Sequence, residues 1–599
     1  MRRDPMRFIR RPRRPVRAAA LAVVGTLALG PCAGGCSGDA HAAIEADDEP
    51  ALHDPAVLAA QRAAAVAEEE RRQAAATAER ARAAAERAQA ARATQEAAQS
   101  AAEAAERARV AAAAAEEERR QAEARAFERA YPLEGMTTHF LSRVYAQAST
   151  SSAVIGYMRR GSRFRATEQQ ATRGCAGGWH RVPGSGYVCR GEGVIVGRGP
   201  QSFSPVPREP ALEDALPYLY AYATEDDVPQ YWGLPDAARE SAVRDVLGLL
   251  RRREAAARDR AENASAARAT PEPGLAEPDG DTPEGSEAAP DETGGEHAVE
   301  APPPPGQVTT AEDEGDVQLE ETPPELPDYV RMRMQRGFYV SLDREERVDG
   351  RTWYRTVRGA YVRAAQMRQS APTSVRGVVV GGRWSLPIAF VYRHGTRRLL
   401  RRASDGSLLD RGVAEIGTPI AVTERTRWRR NEYAVGHDGS MFRTSSLRHA
   451  EQHPRPDGVP ADGRWIHVDL SEQTLVAYEG DRPVFATIVS TGAPGFETPR
   501  GLYRIQSKHV STTMDNLAAA DTAYSIEDVP WTMYFEGNYA LHGAFWHSNF
   551  GRVRSHGCVN LAPTDARWIF RWSTPTLPES WHGAFATRRS PGTHVFITE

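Results

Sequence analysis

The most regular hydrophobic pattern of the chain lies in its last quarter, where apolar and polar residues alternate. In WIHVDL, the side chains of Ile466, Val468 and Leu470 fall on one face, as in a half-buried β-strand. Similar runs separated by turn residues follow, and one segment, TDARWIFRW, favours a helix. Residues 461–599 are therefore predicted to form a mostly β domain that is large enough to bury its own core.

Shorter β-like runs separated by Gly and Ser occur in the middle of the chain. Trp179 precedes Tyr187 by eight positions, and Trp353 precedes Tyr361 by the same distance, which indicates a repeated small fold. Core packing is the more common role of such aromatic residues, and ligand binding is the alternative. The predicted β regions are two small β-barrel modules and one basic β-rich region, at residues 138–198, 328–368 and 376–450 respectively.

Two segments lack β periodicity, and the chain is therefore predicted to be multidomain. Residues 55–130 consist almost entirely of Ala, Glu, Arg and Gln, without Gly or Pro from 56 to 131, which predicts one long N-terminal α-helix. This helix either pairs weakly as a coiled coil or stays solvated, and a linker of fluctuating helicity is the alternative. Residues 255–326 are rich in Pro, Gly, Glu and Asp, which predicts a disordered acidic linker that acts as a flexible tether.

The charge of the chain disfavours nucleic acid as a partner. Its 75 Lys and Arg residues nearly balance 79 Asp and Glu residues, for a formal net charge of −4, whereas nucleic-acid-binding proteins carry a strong basic excess. The balance conceals local asymmetry, because residues 376–450 are rich in arginine. A solvated basic face is the default interpretation of such a region.

The N-terminus has the pattern of a targeting segment. A basic stretch precedes a short apolar run, and small residues then lead to Cys36. This order resembles a bacterial lipoprotein signal peptide over residues 1–36, with lipidation of Cys36, and Ser37 favours sorting to the outer membrane. Secretion without lipidation is the alternative. Both predict an extracytoplasmic protein of the periplasm.

In that oxidising compartment, Cys175 and Cys189 are predicted to form a disulfide, and two free core cysteines are the alternative.

Candidate chemistry concentrates in HGAFWHSNFGRVRSHGCVNL, which begins at His542. Cys558 follows a glycine that permits a tight turn, and His542 ends a predicted strand, so that the imidazole and the thiol can lie close together. A histidine partner lowers the pKa of a thiol and makes thiolate available near neutral pH. A buried core thiol is disfavoured by the small and polar residues around Cys558. A metal site is disfavoured because the spacing matches no standard ligand pattern; it would use His542, His547, His556 and Cys558.

The same stretch carries a family signature. His542 and Gly543, a spacer, and then Ser-His-Gly-Cys-Val-Asn from residue 555 to residue 560 resemble L,D-transpeptidase catalytic domains of the YkuD type. The resemblance extends over about residues 464–599, because the upstream strands are also similar. It implies a cysteine-dependent acyltransferase on a mostly β fold, without a metal or an organic cofactor.

The resemblance also implies a role for each matched residue. Cys558 is expected to be the nucleophile and His542 its base, with the imidazole oriented by the Gly543 carbonyl. His556, with the amides of Gly557 and Cys558, is expected to line the oxyanion region. The residues expected to line the substrate groove or to hold the shape of its loop are Tyr534, Trp546, Arg554, Ser555 and Asn560.

The implied reaction is acyl transfer on the stem peptides of peptidoglycan. The thiol attacks the third stem residue, D-alanine leaves, and the thioester passes to an amine, which gives a 3→3 cross-link or anchors a protein acceptor. An L,D-carboxypeptidase or endopeptidase on the same fold is one alternative, and an inactive wall-binding structural lipoprotein is another. The two small modules resemble bacterial Src-homology-3-like domains, which bind wall peptides or serve as scaffolds. Contact with anionic wall polymers is the alternative role of the basic region.

Overall fold

The structure is a computed structural model that describes residues 55–269, 325–517 and 523–599. The chain divides into two compact units between residues 116 and 117. Helix α1 spans Pro55–Ala130, which confirms the predicted long helix. The predicted signal peptide, including Cys36, lies outside the described residues. In the part of the chain that is described, no helix has the length and apolar character needed to cross a bilayer.

Local interactions account for helix α1. Its composition has high intrinsic helix propensity, and charged side chains pair along its surface, for example Arg72 with Glu68 at 2.7 Å. Each exposed pair of this kind contributes about 0.3–0.5 kcal/mol. The few large apolar side chains are solvated, since Val66 and Val110 are 58% and 59% exposed. The helix therefore depends mainly on propensity and paired charges.

Three β-modules with one pattern of strand pairing follow the helix. In module 1 the first strand pairs with the fourth and seventh, the second with the third and sixth, and the fifth with the sixth. A disulfide joins Cys175 to Cys189, whose Cα atoms are 5.8 Å apart. Module 1 begins before residue 138, the predicted boundary, because its first strand is hydrogen-bonded on both edges. Its strands are β1 (Leu133–Thr137), β2 (Leu141–Tyr145), β3 (Val154–Arg159), β4 (Arg163–Ala166), β5 (Trp179–Val182), β6 (Gly186–Cys189) and β7 (Val194–Gly197).

Module 2 repeats this pairing with strands from both sides of the predicted linker. Its first strand pairs with its fourth and seventh, and its second with its third and sixth. The predicted boundaries, 328–368, therefore omit the first two strands of the sheet, which lie within residues 219–231. The strands are β8 (Leu219–Ala223), β9 (Val228–Tyr231), β10 (Val330–Met334), β11 (Tyr339–Val348), β12 (Arg351–Thr356), β13 (Tyr361–Arg363) and β14 (Met367–Ser370).

The predicted linker is an insertion within module 2, and its interpretation as a tether between domains is wrong. Strands β9 and β10 on either side of it are hydrogen-bonded to each other, with Tyr231 opposite Val330. Helix α2, Ala237–Ala269, opens the insertion and extends past residue 255, where the disordered linker was predicted to begin. The helix continues because residues 255–269 are rich in Ala and Arg, and the first proline is Pro271. The remainder of the predicted linker, up to residue 324, lies outside the described residues.

The basic β-rich region is a third module with the same connectivity. Its first strand again pairs with its fourth and seventh, and its second with its third and sixth. A loop of residues 402–407 stands where module 2 carries its long insertion. Strands β11 and β19 both lead into turns whose first residue has positive φ, 51° at Asp349 and 55° at Arg429. Strand β15 (Val378–Val379) precedes the module and belongs to the C-terminal domain. The strands of module 3 are β16 (Ile388–Val391), β17 (Arg397–Arg401), β18 (Leu408–Val413), β19 (Pro419–Trp428), β20 (Asn431–Gly436), β21 (Ser440–Arg443) and β22 (Leu447–Ala450).

The C-terminal domain consists of two sheets and one helix. One sheet has the order β15-β25-β24-β23-β32-β26, and strands β31, β27, β28, β29 and β30 form the other. The predicted face of WIHVDL is inside, since Ile466 and Val468 are fully buried in one cluster with Trp531 and Phe570. Each such side chain contributes about 1.5–3 kcal/mol through burial. The strand is not half-buried as predicted, because Trp465 and His467 on its other face are also buried. The elements are β23 (Arg464–Asp469), β24 (Thr474–Glu479), β25 (Arg482–Ile488), β26 (Gly501–Arg504), β27 (Ser507–Asp515), β28 (Ser525–Glu536), β29 (Tyr539–Gly543), β30 (Val559–Leu561), α3 (Pro563–Trp572), β31 (Gly583–Phe585) and β32 (His594–Thr598).

All three modules dock on the C-terminal domain. Strand β3 of module 1 pairs with β31, and β11 of module 2 forms one parallel bridge with β28. Arg159 of module 1 forms a buried ion pair with Asp528 of the domain at 2.6 Å. In module 3, Arg448 donates a hydrogen bond to the Gly551 carbonyl at 2.9 Å. The domain is therefore embedded among its modules.

Candidate active site

Parallel pairing of two short strands brings the predicted catalytic residues together. Strand β29 ends with His542 and Gly543, and β30 begins directly after Cys558. The two strands pair in parallel, with Leu541 opposite Val559 and His542 opposite Asn560. His542 therefore lies opposite the second residue after Cys558. Both side chains line one cavity of about 700 Å³. The predicted thiol and imidazole thus share one site.

A glycine and two hydroxyl groups fix the loop that presents the thiol. Gly557 has φ +105°, and a Cβ at this position would lie 2.4 Å from a ring carbon of Tyr539. Ser555 Oγ accepts a hydrogen bond from the Gly557 amide at 3.1 Å and donates one to the Cys558 carbonyl at 2.5 Å. Thr498 donates to the Gly557 carbonyl at 2.8 Å. The predicted role of Ser555 in shaping the loop agrees with these contacts.

One of the two amides predicted for the oxyanion region is already occupied. The Gly557 N–H donates to Ser555 Oγ, so this amide is directed into the loop and not towards the cavity. The prediction for Gly557 is therefore corrected: its role here is conformational, because only glycine fits the turn beside Tyr539.

Burial keeps the candidate base uncharged. His542 is 2% exposed, and burial lowers its pKa to about 4, against a smaller raising effect from the Gly543 backbone. Its ring stacks on Trp546 with centroids 5.7 Å apart. Within the described structure, Nδ1 of His542 has no hydrogen bond of standard geometry. The predicted orientation by the Gly543 carbonyl remains a prediction, with which the effect of the Gly543 backbone on the pKa of His542 agrees. Trp546 is a further contact of the ring.

The candidate nucleophile is a neutral thiol at rest. Cys558 is partly exposed to the cavity, and its Sγ lies 3.6 Å from the Asn538 carbonyl oxygen. Burial raises the pKa of this thiol to about 11. The expectation that a histidine partner lowers the thiol pKa is therefore wrong for this resting site, because desolvation disfavours the thiolate and His542 carries no positive charge.

The other residues predicted for the groove line the same cavity. Tyr534, Trp546, Arg554, Ser555, His556 and Asn560 all contribute to its wall. His556 is exposed and lies between Phe496 and Tyr524, with ring centroids 4.5 Å and 5.1 Å away. Asn560 contacts Nε2 of His547 through its amide nitrogen at 3.1 Å. Asn560 therefore holds the wall of the site through a side-chain contact.

Sequence reasoning missed several residues of the cavity wall. One of them is Tyr524, which lies near the predicted residue Tyr534. Burial raises the pKa of both phenols, and ionisation of Cys558 would raise it further. Tyr339 belongs to module 2 and reaches the cavity from another part of the sequence. The aromatic residues near the signature offered a signal for Tyr524, whereas nothing in the sequence pointed to Tyr339. The missed lining residues are Gly337, Tyr339, Phe496, Thr513, Met514, Asp515, Asn516, Tyr524, Ile526 and Asn538.

The histidines of the disfavoured metal alternative have other contacts. His547 packs on Phe550 with centroids 4.9 Å apart and contacts Asn560, while His556 stacks on Tyr524. In the described residues, no three His, Cys, Asp or Glu side chains form a group that could hold a metal ion. The arrangement supports thiol chemistry assisted by a neutral base.

Comparisons with known proteins identify the domain. Residues 463–597 match the family model of the YkuD L,D-transpeptidase catalytic domain. The chain therefore carries an L,D-transpeptidase catalytic domain near its C-terminus, which confirms the resemblance seen in the signature. The chain matches no curated protein sequence.

Solved structures with a matching region include three L,D-transpeptidases. One from Stackebrandtia nassauensis is 25% identical, with 24% of this chain and 58% of that chain covered and a TM-score of 0.18. One from Xylanimonas cellulosilytica is 24% identical, with coverages of 24% and 64% and a TM-score of 0.18. The catalytic domain of the E. faecium enzyme is 21% identical, with coverages of 23% and 98% and a TM-score of 0.19. The chain thus spans less than two thirds of the first two relatives.

Proposed function

We propose that this protein is a peptidoglycan L,D-transpeptidase that uses Cys558 as its nucleophile and His542 as its base. The observation that carries the proposal is the shared cavity: the only cysteine outside the disulfide in the described chain and a buried neutral histidine line one groove. The groove belongs to a domain that matches the L,D-transpeptidase family.

The resting protonation states define the first step. Because both the thiol and the imidazole are neutral at pH 7, the base takes the thiol proton as sulfur attacks the carbonyl of the third stem residue. The protonated His542 then gives this proton to the departing amine of D-alanine, which leaves Cys558 as an acyl-thioester. Stabilisation of the oxyanion falls to the Cys558 amide and to His556, since the Gly557 amide is occupied.

The second step transfers the acyl group to an amine. His542, neutral again, removes a proton from the incoming amine, and the thioester gives an amide and a free thiol. A diamino acid of a second stem peptide yields a 3→3 cross-link, and a lysine of a protein yields an anchored protein. The exposed side of the cavity, formed by Phe496, His556 and Arg554, is the proposed entry for the acceptor.

The rest of the chain is proposed to hold the enzyme near the wall. Lipidation of Cys36 would anchor the protein in the outer membrane, on the periplasmic side. The modules, proposed to be Src-homology-3-like, would bind or position wall peptides. Module 2 supports a positioning role, because Tyr339 lines the catalytic cavity directly.

Muropeptide mass spectrometry tests the proposed activity. The purified mature protein is incubated with tetrapeptide muropeptides, alongside a Cys558→Ala variant and a Ser445→Ala variant as a control on an exposed residue away from the cavity. We expect dimers that have lost one D-alanine with the parent and with the control. The Cys558→Ala variant should form none, because it lacks the sulfur that forms the thioester.

Other products would change the assignment. Tripeptide monomers without dimers would mean that water takes the thioester and that the enzyme is a carboxypeptidase. Turnover by Cys558→Ala would exclude the proposed nucleophile. A complete absence of product from stem peptides and amine acceptors would favour a structural role at the wall.

A further inference from the structure

A second cavity lies where module 3 meets the C-terminal domain. Its volume is about 750 Å³. Module 3 contributes residues 392–394 and Arg448 to its wall, and the C-terminal domain contributes Leu470, Ser471, Gln473, Arg552 and Val553. No step of the proposed acyl transfer uses this cavity.

Three guanidinium groups converge on one tyrosine ring in this cavity. The Cζ atoms of Arg448, Arg393 and Arg552 lie 4.3 Å, 5.3 Å and 5.5 Å from the centroid of Tyr392. The ring is 8% exposed, and its hydroxyl group accepts a hydrogen bond from Arg393 Nε at 2.8 Å. The cations are thus gathered on a fixed aromatic platform.

No carboxylate compensates this charge. In the described part of the chain, none of the three arginines forms an ion pair within 4.0 Å, in contrast to many other arginines of the modules. The nearest carboxylates in the sequence keep their negative charge but are hydrogen-bonded to neutral groups and form no ion pair with these arginines. Asp469 accepts hydrogen bonds from the Ser471 hydroxyl group and the Glu472 amide, and Glu472 accepts one from the His449 amide. Three guanidinium groups without a directly paired carboxylate favour an anion in the cavity.

The cavity adjoins the loop that carries the nucleophile. Arg552 and Val553 line it, whereas Arg554, the next residue, lines the catalytic cavity. The amides of Arg554 and Ser555 both donate to the Thr491 carbonyl, at 2.8 Å and 3.0 Å, which fixes the turn between the two cavities. The two cavities therefore adjoin along the segment from Arg552 to Arg554.

We propose that Arg393, Arg448 and Arg552 form a binding site for the oxyanion groups of the wall, either carboxylates of the peptidoglycan on which the enzyme acts or phosphates of polymers attached to it. This inference rests on the proposed function for the identity of the polymer. The guanidinium fork matches the geometry of both oxyanions. Arg448 is a fixed member, because it also donates to the Gly551 and Ser471 carbonyls. Arg393 and Arg552 are exposed and supply the free donors.

Binding to isolated peptidoglycan tests the site. All proteins carry Cys558→Ala to prevent turnover, and the dissociation constant is measured by co-sedimentation at two salt concentrations. We expect Arg393→Gln with Arg552→Gln to weaken binding about tenfold and to reduce the salt dependence, because two charged donors are lost. The control is Arg430→Gln with Arg443→Gln, two exposed arginines of module 3 outside the cavity. It should change affinity less than about twofold, since these two arginines do not line the proposed site.

The source of the oxyanion is distinguished by chemical treatment of the wall. Peptidoglycan stripped of phosphate-bearing polymers keeps its affinity if stem-peptide carboxylates occupy the site, and loses it if phosphates do. Equal affinity of the cavity variant and the parent for both preparations would overturn the inference. The proposed function is tested apart from it, by acylation of Cys558 in the otherwise unaltered protein with a carbapenem. A thiol that stays unmodified there would count against the function, and the arginine comparison would still decide the anion site.

Discussion

At the residue scale, the site depends on how desolvation sets two protonation states. His542 and Cys558 are both neutral at rest, since burial lowers the pKa of the imidazole to about 4 and raises the pKa of the thiol to about 11. The signature in the sequence identified both residues, but not their charge. A preformed thiolate–imidazolium pair would require the opposite shifts.

The lowered pKa of His542 predicts activity well into the acid range. A base with a pKa of about 4 is roughly 90% neutral at pH 5, whereas an unperturbed histidine with a pKa of about 6.5 would be mostly protonated. We expect the rate of Cys558 acylation by a carbapenem to remain nearly constant from pH 7 to pH 5 and to decline near pH 4. Tryptophan fluorescence at each pH verifies that the protein is folded. A decline centred near pH 6.5 would contradict the neutral resting pair.

The conformation of Gly557 predicts a steric effect on catalysis. Gly557→Ala places a methyl group 2.4 Å from a Tyr539 ring carbon, at φ +105°. We expect acylation of Cys558 to slow at least about tenfold because the thiol is displaced. Gly495→Ala is the matched control, since its φ is +85° but nothing lies within 4 Å of the added carbon. If both variants slow acylation equally, backbone strain and not the contact with Tyr539 is responsible.

At the scale of elements, modules 1 and 2 contact the catalytic domain through buried polar side chains. Arg159 of β3 meets Asp528 of β28, and Ser341 of β11 donates to the same carboxylate. Asp528 is fully buried. Its arginine neighbours Arg159 and Arg358 hold the pKa of the carboxyl below its usual range, although burial acts in the opposite direction. Modules 1 and 2 thus share one anionic centre on the catalytic domain.

Removal of one partner from this centre should destabilise the domain. Arg159→Met leaves a buried carboxylate short of its main counter-charge, and we expect a loss of about 3–5 kcal/mol in the free energy of unfolding. Arg198→Met is the control, because the Arg198–Glu168 pair is exposed and contributes under about 1 kcal/mol. Urea denaturation at pH 7 measures both.

The pH dependence of this effect has a defined sign. Because the pKa of Asp528 is lowered in the folded state, the carboxylate contributes stability above its unfolded pKa, near 3.9, and that stability is lost as the pH falls through the folded value. The difference between parent and Arg159→Met should therefore be full at pH 7 and shrink below about pH 4. A difference that is the same at pH 3 and pH 7 would show that the ion pair is not its cause.

At the scale of the whole molecule, the modules and the catalytic domain form one unit from residue 117 onwards. The long segment between β9 and β10 leaves module 2 and returns to it, because the two strands are paired. Its length therefore does not set the distance between domains. Module 3 has residues 402–407 at the same position and needs no insertion to complete its sheet.

Shortening the insertion should leave the enzyme intact. Residues 270–324 can be replaced by about twenty Gly and Ser residues, which reach more than ~60 Å when extended. We expect unchanged thermal stability and unchanged acylation of Cys558, since α2 and the β9–β10 pairing are retained. A chain with the original composition but a shuffled order of residues 270–324 controls for charge. Loss of folding in the shortened chain alone would show that this segment is part of the core.

The sequence alone determined the features that depend on local pattern. Helix α1 follows from an uninterrupted run of helix-forming residues, the strands of the C-terminal domain follow from β-like runs bounded by turn residues, and Cys558 with His542 follows from the signature. The repeat of modules 2 and 3 was missed. Its signal is short, since GAYVRAAQMR and GSMFRTSSLR, from residues 359 and 439, share one glycine and two arginines, while core positions such as Val340 and Ile420 share only apolar character. Patterning of this kind specifies a strand but not its partner.

Tertiary structure decided the features that depend on distant residues meeting. Strands β8 and β9 join a sheet whose other strands lie beyond the insertion, and Tyr339 enters the catalytic cavity from module 2. The pKa values of His542 and Cys558 depend on desolvation by the surrounding fold, which no local motif encodes. The arginines around Tyr392 likewise come from two separate parts of the chain. The sequence thus named the proposed reacting groups, and packing set their charge, their surroundings and their neighbours.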